Sequence, residues 1–108
     1  MIGLLHSVSV TVPSTFNVSE KADNSAFVES VAIAFSSRFG GATAINGNGY
    51  YVSEDGKLIA ENVVIVSAYC ADMDENTSEF VQTVAENLRR DMRQECVLFT
   101  IDGSAFLV

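Results

Sequence analysis

Two stretches of helical periodicity divide the chain, and between and around them the spacing of apolar residues changes to that of strands. From Asn24 onward Phe27, Val31, Ala34, Phe35 and Arg38 recur at helical intervals. Further along, Phe80, Val81, Val84, Leu88 and Met92 line one side of a second helix expected over about Ser78 to Gln94. Ahead of the first helix, His6, Val8, Val10 and Val12 alternate with Ser7, Ser9 and Thr11, which is the period of a half-buried strand that Pro13 then ends. The polar stretch Ser14 to Asn24 reads as a surface connection, with Asp23 or Asn24 as the helix cap.

Between the helices, ATAINGNGYYVS and LIAENVVIVSAYC read as two antiparallel strands joined by the turn EDGK. The run Val63-Val64-Ile65-Val66 is apolar at every position, as in a central strand. After the second helix, CVLFTIDGSAFLV places Asp102-Gly103 between two apolar runs, a hairpin signal of the type I′ kind. The order is strand, helix, strand, strand, helix, strand, with a short closing strand. The expected class is α+β, a ferredoxin-like βαββαβ sandwich with two helices on one face of an antiparallel sheet, spanning 1–108 as one domain.

The glycines of FGGATAINGNGYY test a phosphate-loop reading. Such loops run from a strand through glycines into a helix N-terminus. Here FGG follows a helix, so the nearby helix end is the negative one. Gly40 is expected to cap the helix, and Gly47 and Gly49 to bend or bulge a strand, or to let a ligand or partner close to the backbone.

Catalytic residue types are scarce. His6 is the only histidine, and it shares parity with the core-facing valines, so it reads as a partly buried, hydrogen-bonded residue. Cys70 and Cys96 are the only cysteines. In a 4-1-3-2 strand order they stand two interstrand spacings apart, roughly 9 to 10 Å, beyond the roughly 7 Å that a disulfide tolerates, so two free thiols are expected. No metal or cofactor set is legible.

Fourteen acidic against six basic residues give a formal charge of −8. That field repels nucleic acid and anionic membrane, and Arg89, Arg90 and Arg93 read as a solvated helix face. The N-terminus lacks the basic start of a signal peptide, and no apolar run is long enough to span a membrane, so the expected address is the cytoplasm. The acids Asp72, Asp74, Glu75 and Glu79 lack the glycine and spacing of a calcium loop, and read as capping or partner-binding groups. Tyr50, Tyr51 and Tyr69, with Phe99 or Phe106, are candidates for the open sheet face.

In FGGAT, the glycine-aromatic pair, the SEDGKL hairpin, the acidic-led helix and QECV, the chain resembles small acidic proteins of phages and plasmids, over NVSEKADNSAF to the end. The resemblance implies a non-catalytic inhibitor or adaptor of the anti-CRISPR or anti-defence type. Its carboxylates Glu54, Asp55, Asp72, Asp74, Glu75 and Glu79 would meet a basic surface on a protein partner. The alternative is a dimeric small-molecule-binding domain or modest enzyme that uses the open sheet face near His6 and the tyrosines, an expectation by fold analogy. A third expectation is assembly by edge-strand pairing through the second strand or AFLV.

Overall fold

The computed structural model describes residues 1–16 and 20–108. Asn17, Val18 and Ser19, which belong to the expected surface connection and to the start of the phage-protein resemblance, lie outside the described residues. The elements are β1 (His6–Pro13), β2 (Thr15–Phe16), β3 (Glu20–Lys21), α1 (Ser25–Phe39), β4 (Thr43–Val52), β5 (Leu58–Cys70), α2 (Glu75–Asp91), β6 (Leu98–Ile101) and β7 (Ser104–Leu107). Five strands form one sheet in the order β4-β5-β1-β6-β7, and all of its pairings are antiparallel. This is the ferredoxin-like arrangement, with β7 added as a closing edge strand.

The alternation in β1 does the sorting. Val8, Val10 and Val12 are essentially inaccessible and pack with Val66 and Ala68 of β5, Phe99 of β6, Val31 and Phe35 of α1, and Val81, Ala85 and Leu88 of α2. Each fully buried valine or phenylalanine contributes on the order of 1.5–3 kcal/mol of transfer free energy. The opposite face carries Ser7, Ser9 and Thr11, in register with Tyr69, Ser67 and Ile65. Ser9 and Thr100 share a hydroxyl hydrogen bond of 2.5 Å there.

Gly40 caps α1 at φ 91°, with its amide donating to the carbonyl of Ser36. Asp102 and Gly103 adopt φ 51° and 82°, the double left-handed pair that a type I′ hairpin requires. The start of the second helix needs correction, whereas the first starts at the expected cap, Asn24. Asp74 caps α2: Asp74 Oδ1 accepts the Thr77 amide at 2.8 Å and the Thr77 hydroxyl at 2.9 Å, so the helix begins three residues before the expected Ser78. At α1, Asn24 occupies the cap position but turns its side chain to the carbonyl of Pro13, and Asp23 takes the amide and hydroxyl of Ser25.

The bulge expected at Gly47 and Gly49 is absent. The β4–β5 ladder runs without interruption from Thr43↔Ser67 to Val52↔Leu58, through Gly47↔Val63 and Gly49↔Glu61. Those glycines leave space for Val63, whose methyls would stand 3.6 Å and 3.2 Å from Cβ atoms placed on Gly47 and Gly49.

The connection expected over Ser14 to Asn24 contains the small pair β2–β3, with Thr15↔Lys21 and Phe16↔Glu20 in register. Two-residue strands of mixed polarity carry no periodicity, so the sequence gives no sign of them.

Candidate functional site

β5 pairs with β1 only from Val63 onward, yet pairs with β4 down to Leu58. Residues 48–52 and 58–62 therefore form a two-stranded arm that runs past the end of β1. The β2–β3 pair lies beside its base, and the gap between them is a groove of two adjoining lobes.

The lobe nearer α1, of about 590 Å³, is lined by Ser14, Asp23, Asn24, Asn46, Gly47, Asn48, Asn62 and Val64, among others. The lobe along the arm, of about 890 Å³, adds Thr15, Lys21, Tyr50, Tyr51, Val52, Glu54, Ile59, Glu61 and Glu95. Ser14, Ala22, Asn48 and Asn62 belong to both, so the lobes are continuous.

The lining has a consistent chemistry. Asn46, Asn48 and Asn62 offer amide donors and acceptors in one lobe. Tyr50 and Tyr51 offer aromatic faces with hydroxyl tips in the other. Glu61 is half-buried where the arm meets the groove, and its Oε2 accepts a hydrogen bond of 3.3 Å from the Thr15 hydroxyl. Three carboxylates, from Glu54, Glu61 and Glu95, line the larger lobe with one cation, Lys21, so its charge favours a cationic guest.

His6 lies elsewhere. It pairs with Cys70, nine residues along β5 from Glu61, or about 30 Å at the rise of a strand. Its Nδ1 donates to Asp102 Oδ2 at 2.8 Å while Asp102 Oδ1 accepts the Ser7 amide at 3.0 Å. The hydrogen bond from His6, with that from Ser7, holds the Asp102 carboxyl below its ordinary pKa. Burial, with the charges of Asp102 and Asp72, pushes the Cys70 thiol up, the opposite of what a nucleophilic thiolate needs. Cys70 is buried, Cys96 is exposed, and both are free thiols.

The six carboxylates expected to bind a partner do not share one surface. Glu54 and Asp55 occupy the arm's turn, where Asp55 accepts from the Ser53 hydroxyl and the Lys57 amide. Asp72, Asp74, Glu75 and Glu79 lie at the other end of β5, around the start of α2, a separation of roughly 40 Å along a 13-residue strand. Asp55 and Asp74 are held below their ordinary pKa by the hydrogen bonds they accept from Ser53 and from Thr77. Only Glu54 of the six lines the groove.

The aromatic expectations divide. Tyr51 and Tyr69 are on the open face, but Tyr50 has the opposite parity. Phe99 and Phe106 lie on the helix side, stacked at 5.3 Å. Sequence reasoning passed over Glu61 and the three asparagines. Asn46, Asn48 and Asn62 do alternate in parity with the core strand, and an asparagine-rich strand face is a signal that could have drawn attention to them.

A βαββαβ sheet with an arm, a separate β2–β3 pair and a polar, acid-lined groove between them defines an α+β protein with a groove of small-molecule size. No family model and no curated protein matches the chain. Among solved structures it is similar to a phage SAM lyase in complex with S-methyl-5'-thioadenosine, at 20% identity and a TM-score of 0.74, covering 95% of this chain and 88% of that one. It is also similar to a phage SAM lyase in the apo state, at 21% identity and a TM-score of 0.73, covering 100% and 92%.

These neighbours correct the expectation of a non-catalytic inhibitor or adaptor of the anti-CRISPR type. Those neighbours are structures of an enzyme, one of them with a small-molecule ligand, which favours the alternative reading over the inhibitor. The groove lies at the arm, where Tyr50 and Tyr51 line it and His6 does not. No helix is long and apolar enough to cross a membrane among the described residues.

Proposed function

We propose that the protein is a lyase that cleaves S-adenosylmethionine (SAM) in the groove between the β4–β5 arm and the β2–β3 pair. The observation that carries this reading is a continuous groove whose lining includes Glu61, Tyr50, Tyr51 and three asparagines, in a fold shared over nearly its whole length with a SAM lyase.

SAM carries two positive groups, the sulfonium and the ammonium, beside an adenosine. The tyrosine faces suit an adenine ring or a sulfonium, the asparagine amides suit the sugar hydroxyls and the substrate carboxylate, and Glu61 supplies countercharge. Release of S-methyl-5'-thioadenosine requires the bond from sulfur to the amino-acid carbon to break, with its electron pair passing to sulfur to give a neutral thioether. The carbon is then satisfied from within the substrate, by its own carboxylate oxygen or by loss of a neighbouring proton, without added water. Neither route asks for a cysteine or histidine nucleophile, and neither residue type lines the groove among the described residues.

The net charge of −8 also fits a cationic substrate, whose approach it favours at long range. The open sheet face bears Thr43, Ile45, Ile65, Ser67, Tyr69, Leu98, Thr100 and Leu107 without a charge, which supports self-association of this acidic chain through that face.

The test compares two ligands that differ in charge. Glu61→Gln should raise KM for SAM by about tenfold, a loss near 1.4 kcal/mol, yet leave inhibition by neutral S-methyl-5'-thioadenosine within about twofold. Tyr50→Ala should weaken both. Equal effects of Glu61→Gln on the two ligands, or none, would place the substrate cation elsewhere.

A further inference from the structure

At the C-terminus of α2 the chain turns through Arg93, at φ 53°, and this left-handed residue aims Gln94 back across the groove's edge. The two donor hydrogens of the Gln94 amide find two acceptors, the Thr15 carbonyl at 2.7 Å and the Met92 carbonyl at 3.2 Å. The neighbouring pair is matched too: the Arg93 guanidinium stands 5.2 Å from the Phe16 ring centroid, within cation–π range. Two consecutive residues of the helix exit therefore grip two consecutive residues of β2.

Thr15 passes that hold onward, because its hydroxyl donates to Glu61 Oε2. The path from α2 to the groove carboxylate is thus Gln94 amide, Thr15 backbone, Thr15 hydroxyl, Glu61. Glu61 sits on the arm beyond the end of β1, where its own strand has a neighbour on one side only. The hydroxyl from Thr15 makes the one side-chain hydrogen bond to the Glu61 carboxylate among the described residues, and so favours one orientation of it. A carboxylate that must meet a substrate cation benefits from such external orientation, since loss of about an ångström of placement is costly to a reaction.

We propose that Gln94 and Thr15 are positioning residues that orient Glu61, with Arg93 and Phe16 as a second clasp on the same strand. This rests on the SAM-lyase reading for its kinetic consequence, while its geometric content concerns the side chain of Glu61 alone.

The test uses Thr15→Val, which keeps the β-branched shape and removes the hydroxyl, Thr15→Ser, which restores it, and Gln94→Ala. In steady-state cleavage of SAM, Thr15→Val and Gln94→Ala should each lower kcat/KM by about tenfold, and Thr15→Ser should stay within about twofold of wild type. Placed in a Glu61→Gln background, Thr15→Val and Gln94→Ala should cause no further loss, because the group they orient is gone. A side-chain carboxyl ¹³C spectrum gives a readout independent of turnover: the Glu61 resonance should move or broaden in Thr15→Val and Gln94→Ala and hold in Thr15→Ser.

Full additivity with Glu61→Gln, or an unchanged Glu61 resonance in both variants, would overturn the positioning role. If the wild-type protein does not cleave SAM but the Glu61 resonance responds as described, the positioning stands and the proposed substrate falls.

Discussion

Gly49 and Val63 stand diagonally across the β4–β5 ladder, so close that a Cβ on Gly49 would lie 3.2 Å from Cγ1 of Val63, whereas one on Gly47, the direct partner of Val63, would keep 3.6 Å. The two glycines look alike in the sequence NGNG, yet only one is tightly enclosed. Neither has a positive φ, so the difference is one of space alone. Gly47→Ala should be neutral or stabilise the fold by up to about 1 kcal/mol through reduced chain entropy. Gly49→Ala should cost about 1 kcal/mol by crowding, and Val63→Ala in the same chain should remove that crowding penalty. Urea unfolding of the variants in parallel checks the order.

Capping makes a sharper distinction among the acids before α2. Asp74→Ala removes the acceptor for the Thr77 amide and should cost about 1 kcal/mol. Asp72→Ala removes no hydrogen bond among those described and should stay within about 0.5 kcal/mol. Thermal melts of the two variants decide whether α2 starts where the structure puts it.

Asp102 makes stability depend on pH in a defined direction. Its carboxyl is held low by His6 and Ser7, so its contribution is present above the unfolded carboxylate value, about 3.9, and is lost as pH falls through the lower folded value. Asp23, Asp55 and Asp74 are shifted in the same direction by the hydrogen bonds they accept, so acid unfolding should be steep below about pH 4. Asp102→Asn, which tolerates the left-handed φ of 51°, should flatten that slope and be less stable than wild type at pH 7. Denaturant midpoints from pH 7 to pH 2.5 measure both effects.

The two thiols should separate by rate. Exposed Cys96 should react with a thiol reagent in the native state, while Cys70, buried and with its thiol pushed up, should react only on opening of the fold. One equivalent reacting fast and a second that becomes available in denaturant is the expected pattern.

The β1 valines, the helical spacing of Phe27 to Phe35 and the Asp102-Gly103 turn were enough to read strand order, both helices and the closing hairpin, because each is a local pattern that the core enforces. The groove was not readable in the same way. Thr15 and Glu61 are 46 residues apart, and Gln94 and Thr15 are 79 apart. Nothing in the local composition of TF, EK or LIAEN says that those segments converge. The prominent acids at 72–79 misled for the opposite reason: a dense local charge is easy to see, and here Asp74 is accounted for by a helix cap.

The central claim is tested most directly by incubating purified protein with SAM and following S-methyl-5'-thioadenosine by chromatography and mass spectrometry. The account predicts its enzyme-dependent formation, reduced about tenfold in kcat/KM by Glu61→Gln and unaffected by His6→Ala at a pH where that variant is folded. Formation no faster than in buffer, or activity that survives Glu61→Gln intact and disappears with His6→Ala, would contradict it.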